Sequence, residues 1–192
     1  MSRVLVPLAE GFEEIEAVTV IDLLRRAGID VHTASLDGPR VTGSHGIALM
    51  ADIALDAAAA DDYDMIVLPG GMPGASHLKN DPRVISLLRR FAAEGRYTAA
   101  ICAAPSVLAH AGLLEERAAT SFPGFLNADS APGIRLRDEA VVVDGKVVTS
   151  RGAGTAMEFG LALIELLAGP DVRLQVAERL QLAGAKRLEV RG

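Results

Sequence analysis

The sequence predicts a single α/β domain whose mostly parallel sheet includes one antiparallel hairpin. Short apolar runs alternate along the chain with segments of helical spacing, and this alternation is typical of βαβ units and a parallel sheet. The first 35 residues already contain one such unit, for which a right-handed crossover is expected. Near the end of the chain, Asp144-Gly145 separates two β-prone runs, which predicts a hairpin with a type I′ turn.

Length and composition indicate a single globular domain and argue against several classes of protein. The 192 residues, half of them hydrophobic, suit one domain spanning residues 1–192 with a sizeable core. A formal net charge of −6 argues against nucleic acid as a partner. The chain shows no signal peptide and no apolar run long enough for a membrane span, so we expect a cytoplasmic protein. A reducing compartment would keep its single cysteine, Cys102, free.

The first βαβ unit is predicted as follows. Arg3–Leu8 is a short apolar run that fits a buried strand. Ile15–Ala27 has apolar residues at helical spacing, and Gly28 fits the C′ position that ends a helix. Asp30–Ser35 alternates apolar and polar residues, as a half-buried strand does.

The middle of the chain repeats this pattern. Asp64–Leu68 and Tyr97–Ile101 are apolar runs that predict buried strands. Pro82–Ala93 is predicted as a helix because Asp81 fits the N-cap and a proline follows at the first helical position. Pro105–Ala111 predicts another helix directly after a strand.

The last third of the chain changes character. Three short β-prone runs are followed by two helical patterns, and the final residues read as a loose tail. These predicted elements are, in order, the strands Arg117–Ser121, Ala140–Val143 and Val147–Ser150, the helices Ala153–Leu167 and Asp171–Leu182, and a tail from about residue 185.

The ends of three strands indicate where a site is expected. In open α/β sheets, ligand sites form beyond the carboxyl ends of the strands. The residues in that position are Ala9–Glu16, Pro69–Ala75 and Cys102–Pro105. We therefore expect any chemistry to depend on these three segments.

Cys102 stands where a strand turns directly into a helix. Its small neighbours, in AICAAP, suit the tight turn of a nucleophile elbow. The N-terminus of the following helix is expected to lower the pKa of the thiol. The alternative is a residue that only fills the core, since free cysteine packs like a small hydrophobe. Both interpretations remain open at this point.

Glycines and carboxylates follow the other two strands. Gly70 and Gly71 allow close backbone approach, so their N–H groups can face an oxyanion, although a plain tight turn is the alternative. Glu13 and Glu16 share one helix face. If that face points at the carboxyl edge of the sheet, one of them can reach Cys102. In an apolar cleft its pKa would be raised, so that it can hold or transfer a proton. The alternative is that these glutamates are exposed and only favour the helix dipole.

Taken together, EGFEEIE, LPGGMPGA and AICAAP resemble the ThiJ/PfpI superfamily, and within it the DJ-1-like branch. The similarity extends from Arg3 to about Gln181 and includes Thr149–Thr155 and Glu158-Phe159. It implies a flavodoxin-like three-layer sandwich and a homodimer.

The resemblance also implies roles for single residues. Cys102 would be the nucleophile and a redox-sensitive thiol, and Glu16 the carboxyl in contact with its sulfur. Gly71 and Ala103 would supply backbone N–H groups around the sulfur or a bound oxyanion.

Three positions depart from the family pattern. Ala103 follows the cysteine where peptidase relatives have histidine, so a Cys-His dyad of that kind is absent. Phe122, within Thr120–Pro123, occupies the place of a histidine, which leaves proton transfer to Glu16 alone. His45 stands where the family has an arginine that the partner subunit contributes near the pocket.

The implied activity is a glyoxalase that converts methylglyoxal to lactate, or a deglycase, without any cofactor. The four histidines lack metal-ligand spacing, so we predict no metal site. The expected partners are a small reactive carbonyl compound and a second copy of the chain. One alternative is an oxidative-stress sensor or chaperone-like protein that depends on oxidation of Cys102 rather than on turnover. Another is a flavodoxin-like domain with an inert buried cysteine.

Overall fold

A computed structural model describes residues 1–58 and 61–182, and the predicted tail lies outside these residues. The strands are β1 (Arg3–Leu8), β2 (Asp30–Ser35), β3 (Arg40–Thr42), β4 (Ala48–Met50), β5 (Ile53–Ala54), β6 (Met65–Leu68), β7 (Tyr97–Ile101), β8 (Ala118–Ala119), β9 (Arg135–Leu136), β10 (Val141–Asp144) and β11 (Val147–Ser150). The helices are α1 (Glu14–Arg26), α2 (Leu55–Ala58), α3 (Gly74–Asn80), α4 (Pro82–Ala93), α5 (Pro105–His110), α6 (Ala156–Ala168) and α7 (Pro170–Arg179), with a 3₁₀ turn at Ala153–Thr155.

The central sheet of the described chain has seven strands in the order β10-β11-β7-β6-β1-β2-β5. Every neighbouring pair is parallel except β10 and β11, which are antiparallel. The predicted mostly parallel sheet with one antiparallel hairpin is therefore confirmed. The pairs β3–β4 and β8–β9 form two small separate sheets.

The two faces of the sheet bury separate apolar cores. Successive side chains of a strand point to opposite faces. Thus Val4 and Val6 of β1 join the core beneath α1, α6 and α7, while Leu5 joins the core beneath α2 to α5. The result is the predicted three-layer sandwich. None of the helices within these residues is long and apolar enough to cross a membrane.

The turn between β10 and β11 differs in type from the prediction. Asp144 pairs with Val147, so the two loop residues are Gly145 and Lys146 rather than Asp144 and Gly145. A type I′ turn needs positive φ at both central residues. Only Gly145 has it, with φ of +59°. A glycine with positive φ at the first central position is the pattern of a type II′ turn.

The predicted ends of the first and fourth helices are confirmed by their capping contacts. Gly28 follows α1 with φ of +75°, as a C′ residue does. The Asp81 carboxylate accepts a hydrogen bond from Arg83 N at 2.8 Å and caps α4. The predicted strand Arg117–Ser121 shortens to Ala118–Ala119, because it pairs with β9 outside the central sheet.

Several short elements were not predicted. They are β3, β4, β5, α2, α3 and β9. Most have only two to four residues, too few to show a period. Helix α3 begins within Pro69–Ala75, whose glycines and prolines are turn signals.

The strand order places a switch point between β1 and β6. From β1 the chain first adds β2 and β5 on one side, and then continues on the other side with β6 and β7. The carboxyl ends of strands at such a point form a crevice suited to ligands. The segments that follow β1, β6 and β7 are the three in which the site was predicted.

Candidate active site

Cys102 occupies a strained turn at the end of β7. Its φ is +64°, a left-handed conformation that non-glycine residues rarely adopt. The backbone is held on both sides, because Cys102 N donates to Ser150 O and Phe122 N donates to Cys102 O, each at 2.9 Å. Strain of this kind, typically 1–3 kcal/mol, concentrates at functional sites. The geometry is that of the predicted elbow, and the thiol is half-buried.

Glu16 is a fully buried carboxyl in the first turn of α1. Its Oε2 accepts a hydrogen bond from Gly70 N at 2.8 Å. Its Oε1 is also buried and has no hydrogen-bond partner in the part of the chain that the structure describes. The carboxyl lies close enough to the Cys102 thiol for each group to change the pKa of the other.

The neighbouring glutamates have different tasks. Glu13 caps α1, since its Oε2 accepts a hydrogen bond from Glu16 N at 2.7 Å. Glu14 is buried and accepts hydrogen bonds from His45 N at 2.7 Å and Ile47 N at 3.3 Å. Only Glu16 faces the sulfur. Of the two carboxyls that share this helix face, Glu13 therefore caps the helix and Glu16 faces the sulfur.

Gly70 and Gly71 permit the close approach of the three segments. A Cβ on Gly70 would lie 2.7 Å from both Cys102 Cβ and Glu16 Oε2. Gly71 has φ of +90°, and a Cβ there would lie 2.4 Å from Glu13 N. No side chain fits at either position.

Backbone donors surround the sulfur. The backbone N–H groups of Ala103 and Gly71 lie near the Cys102 thiol and act to lower its pKa. They lie at the ends of two neighbouring strands, β7 and β6. The structure thus brings Cys102, Glu16, Gly70, Gly71 and Ala103 together at one edge of the sheet.

The prediction of a lowered thiol pKa is wrong for this geometry. Burial, followed by the charge of Glu16 and its hydrogen bond, raises the pKa of Cys102 to about 12. Helix α5 has only six residues, so its N-terminus offers little compensation. Burial, reinforced by the charge of Glu13, also raises the pKa of Glu16 to about 7.

Cys102 and Glu16 titrate as a coupled pair. Above about pH 7 the pair has lost one proton, and it keeps the second until about pH 12. The single negative charge can rest on the carboxylate beside a thiol, or on a thiolate beside a carboxylic acid. The second form is nucleophilic, and the N–H groups of Gly71 and Ala103 stabilise it.

His45 lies between β3 and β4 and contacts the start of α1 within the same chain. Its Nδ1 lies 3.0 Å from Glu14 Oε2 and 4.0 Å from Glu13 Oε1, and its side chain is largely exposed. Burial raises the pKa of Glu14, but the hydrogen bonds from His45 and Ile47 outweigh it and hold that pKa below its usual value. The role of His45 at a partner's pocket stays a prediction.

Glu13, Glu14 and His45 are also the one group of metal-ligand type found among the described residues. One ligand atom from each lies within 4.8 Å of the others. Glu14 Oε1 already accepts from two backbone N–H groups, and Oε2 contacts the Ser44 hydroxyl and His45 Nδ1. These contacts hold the β3–β4 connection against α1. The absence of a metal site stays a prediction.

Gly152 lies beside both the Cys102 sulfur and the Phe122 ring. The sequence motifs included both residues but gave Gly152 no role of its own. A Cβ on Gly152 would lie 3.5 Å from Phe122 Cδ2 and 4.0 Å from Cys102 Sγ. Gly152 comes shortly after β11, which pairs with β7. The strand-end rule that led to Cys102 would also have led to Gly152, had it been applied to β11.

The fold and the site define a class of protein: an α/β sandwich with a cysteine at a strand-to-helix turn, a buried carboxyl beside its sulfur, and backbone donors around it. The sequence model of the DJ-1/PfpI family matches residues 2–166, and the chain belongs to that family. This confirms the family that the sequence motifs indicated.

Individual relatives support the DJ-1-like branch. The chain is 41% identical over 181 residues to Protein DJ-1 homolog A of Arabidopsis thaliana, a match that covers 93% of this chain and 46% of the relative. The chain therefore spans about half the length of that relative. It is 34% identical over 174 residues to the glutathione-independent glyoxalase DJR-1.2 of Caenorhabditis elegans, which covers 91% of this chain and 92% of the relative.

The fold is also found in solved structures. The crystal structure of Drosophila melanogaster DJ-1beta superposes with a TM-score of 0.90 at 41% sequence identity. The match covers 95% of this chain and all of the other. The predicted flavodoxin-like fold is therefore confirmed.

Proposed function

We propose that this protein is a cysteine-dependent, cofactor-independent glyoxalase or deglycase that acts on small 2-oxoaldehydes such as methylglyoxal. The observation that carries the proposal is the buried Glu16 carboxyl beside the Cys102 thiol, close enough for each group to change the pKa of the other. A carboxyl in this position can take a proton from the thiol and pass it to a bound substrate.

In the first step, the Cys102 thiolate adds to the aldehyde carbon of the substrate. A carbon–sulfur bond forms, the carbonyl π electrons move to oxygen, and a proton from Glu16 gives a hemithioacetal. The N–H groups of Gly71 and Ala103, which act on the thiol, would also stabilise the developing oxyanion beside it.

In the second step, the Glu16 carboxylate removes the proton from the former aldehyde carbon and returns one to the neighbouring ketone carbon, while the hemithioacetal hydroxyl gives its proton to the ketone oxygen. The product is a thioester of a 2-hydroxy acid on Cys102. Water then cleaves the thioester, releasing lactate from methylglyoxal and restoring the thiol. The sum is the addition of one water, so no oxidant or reductant is consumed. Phe122 carries no titratable proton, which leaves these transfers to Glu16.

The test is lactate formation from methylglyoxal without glutathione. We expect turnover in the wild type and its loss in Cys102→Ser and Glu16→Gln. Glu178→Gln, at an exposed carboxyl on α7, is the matched control and should retain full activity. Turnover that survives in Cys102→Ser would refute the proposal.

The same donors favour a second candidate, an oxidative-stress sensor. The N–H groups of Gly71 and Ala103 favour negative charge on the sulfur, and a protonated Glu16 adds a further donor. These donors would stabilise a sulfinate that peroxide forms by adding two oxygens to Cys102. Mass spectrometry after mild peroxide treatment tests this candidate. A gain of two oxygens in a protein that forms no lactate would favour the sensor over the enzyme.

A further inference from the structure

The position of the Phe122 ring is coupled to the candidate nucleophile. Phe122 N donates to Cys102 O at 2.9 Å, so the backbone that carries the ring is attached to the residue that carries the sulfur. The ring also meets Phe125 edge to face, with centroids 6.2 Å apart and planes at 73°. Two neighbouring contacts therefore hold the ring in place.

Phe122 nevertheless leaves much of its side chain uncovered, with 49% of the residue exposed. When an apolar group of a ligand covers exposed apolar surface of this kind, the removal of that surface from water favours binding. An aromatic group gains more, because two rings that meet edge to face or offset attract each other beyond the effect of burial.

Gly152 keeps space open between the ring and the sulfur. Its φ of 166° is extended backbone that any residue adopts, so its conformation does not require glycine. A methyl group here would be in ordinary contact with both Phe122 Cδ2, at 3.5 Å, and Cys102 Sγ, at 4.0 Å. The missing side chain therefore leaves one methyl-sized space that the ring and the sulfur share.

We propose that Phe122 is a specificity-determining residue, and that the site favours 2-oxoaldehydes with an aryl or bulky apolar substituent over methylglyoxal. The aldehyde carbon binds to Cys102, the ketone carbon enters the space beside Gly152, and the substituent lies against the Phe122 ring. The choice of substrate rests on the proposed function, but the aromatic contact itself can be measured without turnover.

The first measurement compares two maleimides that differ only in their substituent. Their rates of addition to Cys102 give a ratio of N-phenylmaleimide to N-ethylmaleimide, which is divided by the same ratio for a small free thiol. In the wild type we expect this normalised ratio to lie between about 2 and 10, which is the rate difference that the attraction between two aromatic rings would produce. In Phe122→Ala it should fall to one, and in Phe122→Leu it should lie between these values.

Two further variants test the geometry. Gly152→Ala fits without a clash and fills the shared space, so it should slow the phenyl reagent more than the ethyl reagent. Leu136→Ala removes an apolar side chain of similar exposure, 46%, from β9 and should keep the wild-type ratio. Equal ratios in the wild type and Phe122→Ala would overturn the inference. So would a thiol that reacts with neither maleimide, because the site would then not admit a substituent.

The second measurement uses turnover of phenylglyoxal and methylglyoxal. Phe122→Ala should reduce the preference for phenylglyoxal in kcat/KM by the same factor as the maleimide ratio, mainly through KM. A protein that turns over neither compound but keeps the maleimide preference would refute the proposed function and support the aromatic contact. A protein that turns over both equally, with a maleimide ratio of one, would overturn this inference and leave the proposed function intact.

Discussion

Replacing Glu16 by Gln should stabilise the folded protein above pH 7 and leave its stability almost unchanged at pH 4. Folding raises the pKa of Glu16 from 4.5 to about 7, chiefly through burial. Between these values the folded protein keeps a proton that the unfolded chain has lost, so the free energy of unfolding falls as pH rises. Glutamine carries no charge at any pH, and its carbonyl oxygen can still accept the hydrogen bond from Gly70 N.

The size of this effect follows from the pKa. At roughly 1.4 kcal/mol for each pKa unit, ionising Glu16 in the folded state costs about 3 kcal/mol. That cost should be fully present at pH 8 and above, half relieved near pH 6, and absent below pH 4.5. Glu16→Gln removes it, so the variant should exceed the wild type by about 3 kcal/mol at pH 8.

Urea unfolding of both proteins at several values between pH 4 and pH 9 measures this difference, provided that the m-values agree. Glu178→Gln is the control for loss of an exposed carboxyl and should show no such pH dependence. In a Cys102→Ala background the difference should persist, because burial rather than the thiol is the main cause of the raised pKa. A difference between variant and wild type that stays flat across the whole range would refute the reasoning.

Three more predictions concern the site and its assembly. In Gly70→Ala the new Cβ would lie 2.7 Å from Cys102 Cβ and Glu16 Oε2. The variant should therefore form no lactate, and its free energy of unfolding in a urea titration should fall by about 1–3 kcal/mol. Full activity would contradict the close approach of Gly70 to Cys102 and Glu16. Alkylation of Cys102 by iodoacetamide should accelerate through about pH 7 and shift to higher pH in Glu16→Gln, since the first proton belongs to the pair; an unchanged midpoint would exclude the coupling. Analytical ultracentrifugation should give twice the chain mass of 20.1 kDa. Ile15 and Ile47 are exposed apolar side chains next to Glu14 that a second copy would cover, so Ile47→Asp should halve the measured mass. A wild-type monomer would refute the homodimer.

The sequence alone was sufficient for the long elements and for the place of the site. Arg3–Leu8, Asp30–Ser35, Tyr97–Ile101 and Val147–Ser150 have the bounds that their apolar and alternating patterns predicted. Strands of a parallel sheet are buried on both faces, so their sequences carry a strong local signal. The rule that sites form beyond the carboxyl ends of strands then selected the three segments that meet around Cys102.

Short elements gave no comparable signal. The strands of two or three residues between Arg40 and Ala54 are too brief to show a period. β3 and β4 pair with each other, and β5 pairs with β2. The start of α3 has the sequence of a turn, because its glycines and prolines outweigh the few helical residues nearby.

The electrostatics of the site came only from the tertiary structure. A local argument from the helix N-terminus predicted a lowered pKa for Cys102, but burial and Glu16 raise it. The spacing of the glutamates alone could not separate Glu13, which caps the helix, from Glu16, which lies beside the thiol; only the family motif singled out Glu16. Desolvation depends on everything that packs around a group, and no local window of sequence contains it.

The sequence by itself therefore determined the family, the sheet and the three segments that form the candidate site, because these depend on local patterns and motifs. Only the tertiary structure decided how close Glu16 comes to the thiol, and that Gly152 lies beside both the Cys102 sulfur and the Phe122 ring. These residues lie 20 to 86 positions from Cys102 along the chain. They meet because parallel strands bring their carboxyl ends to one edge of the sheet, and distance and burial exist only after that assembly.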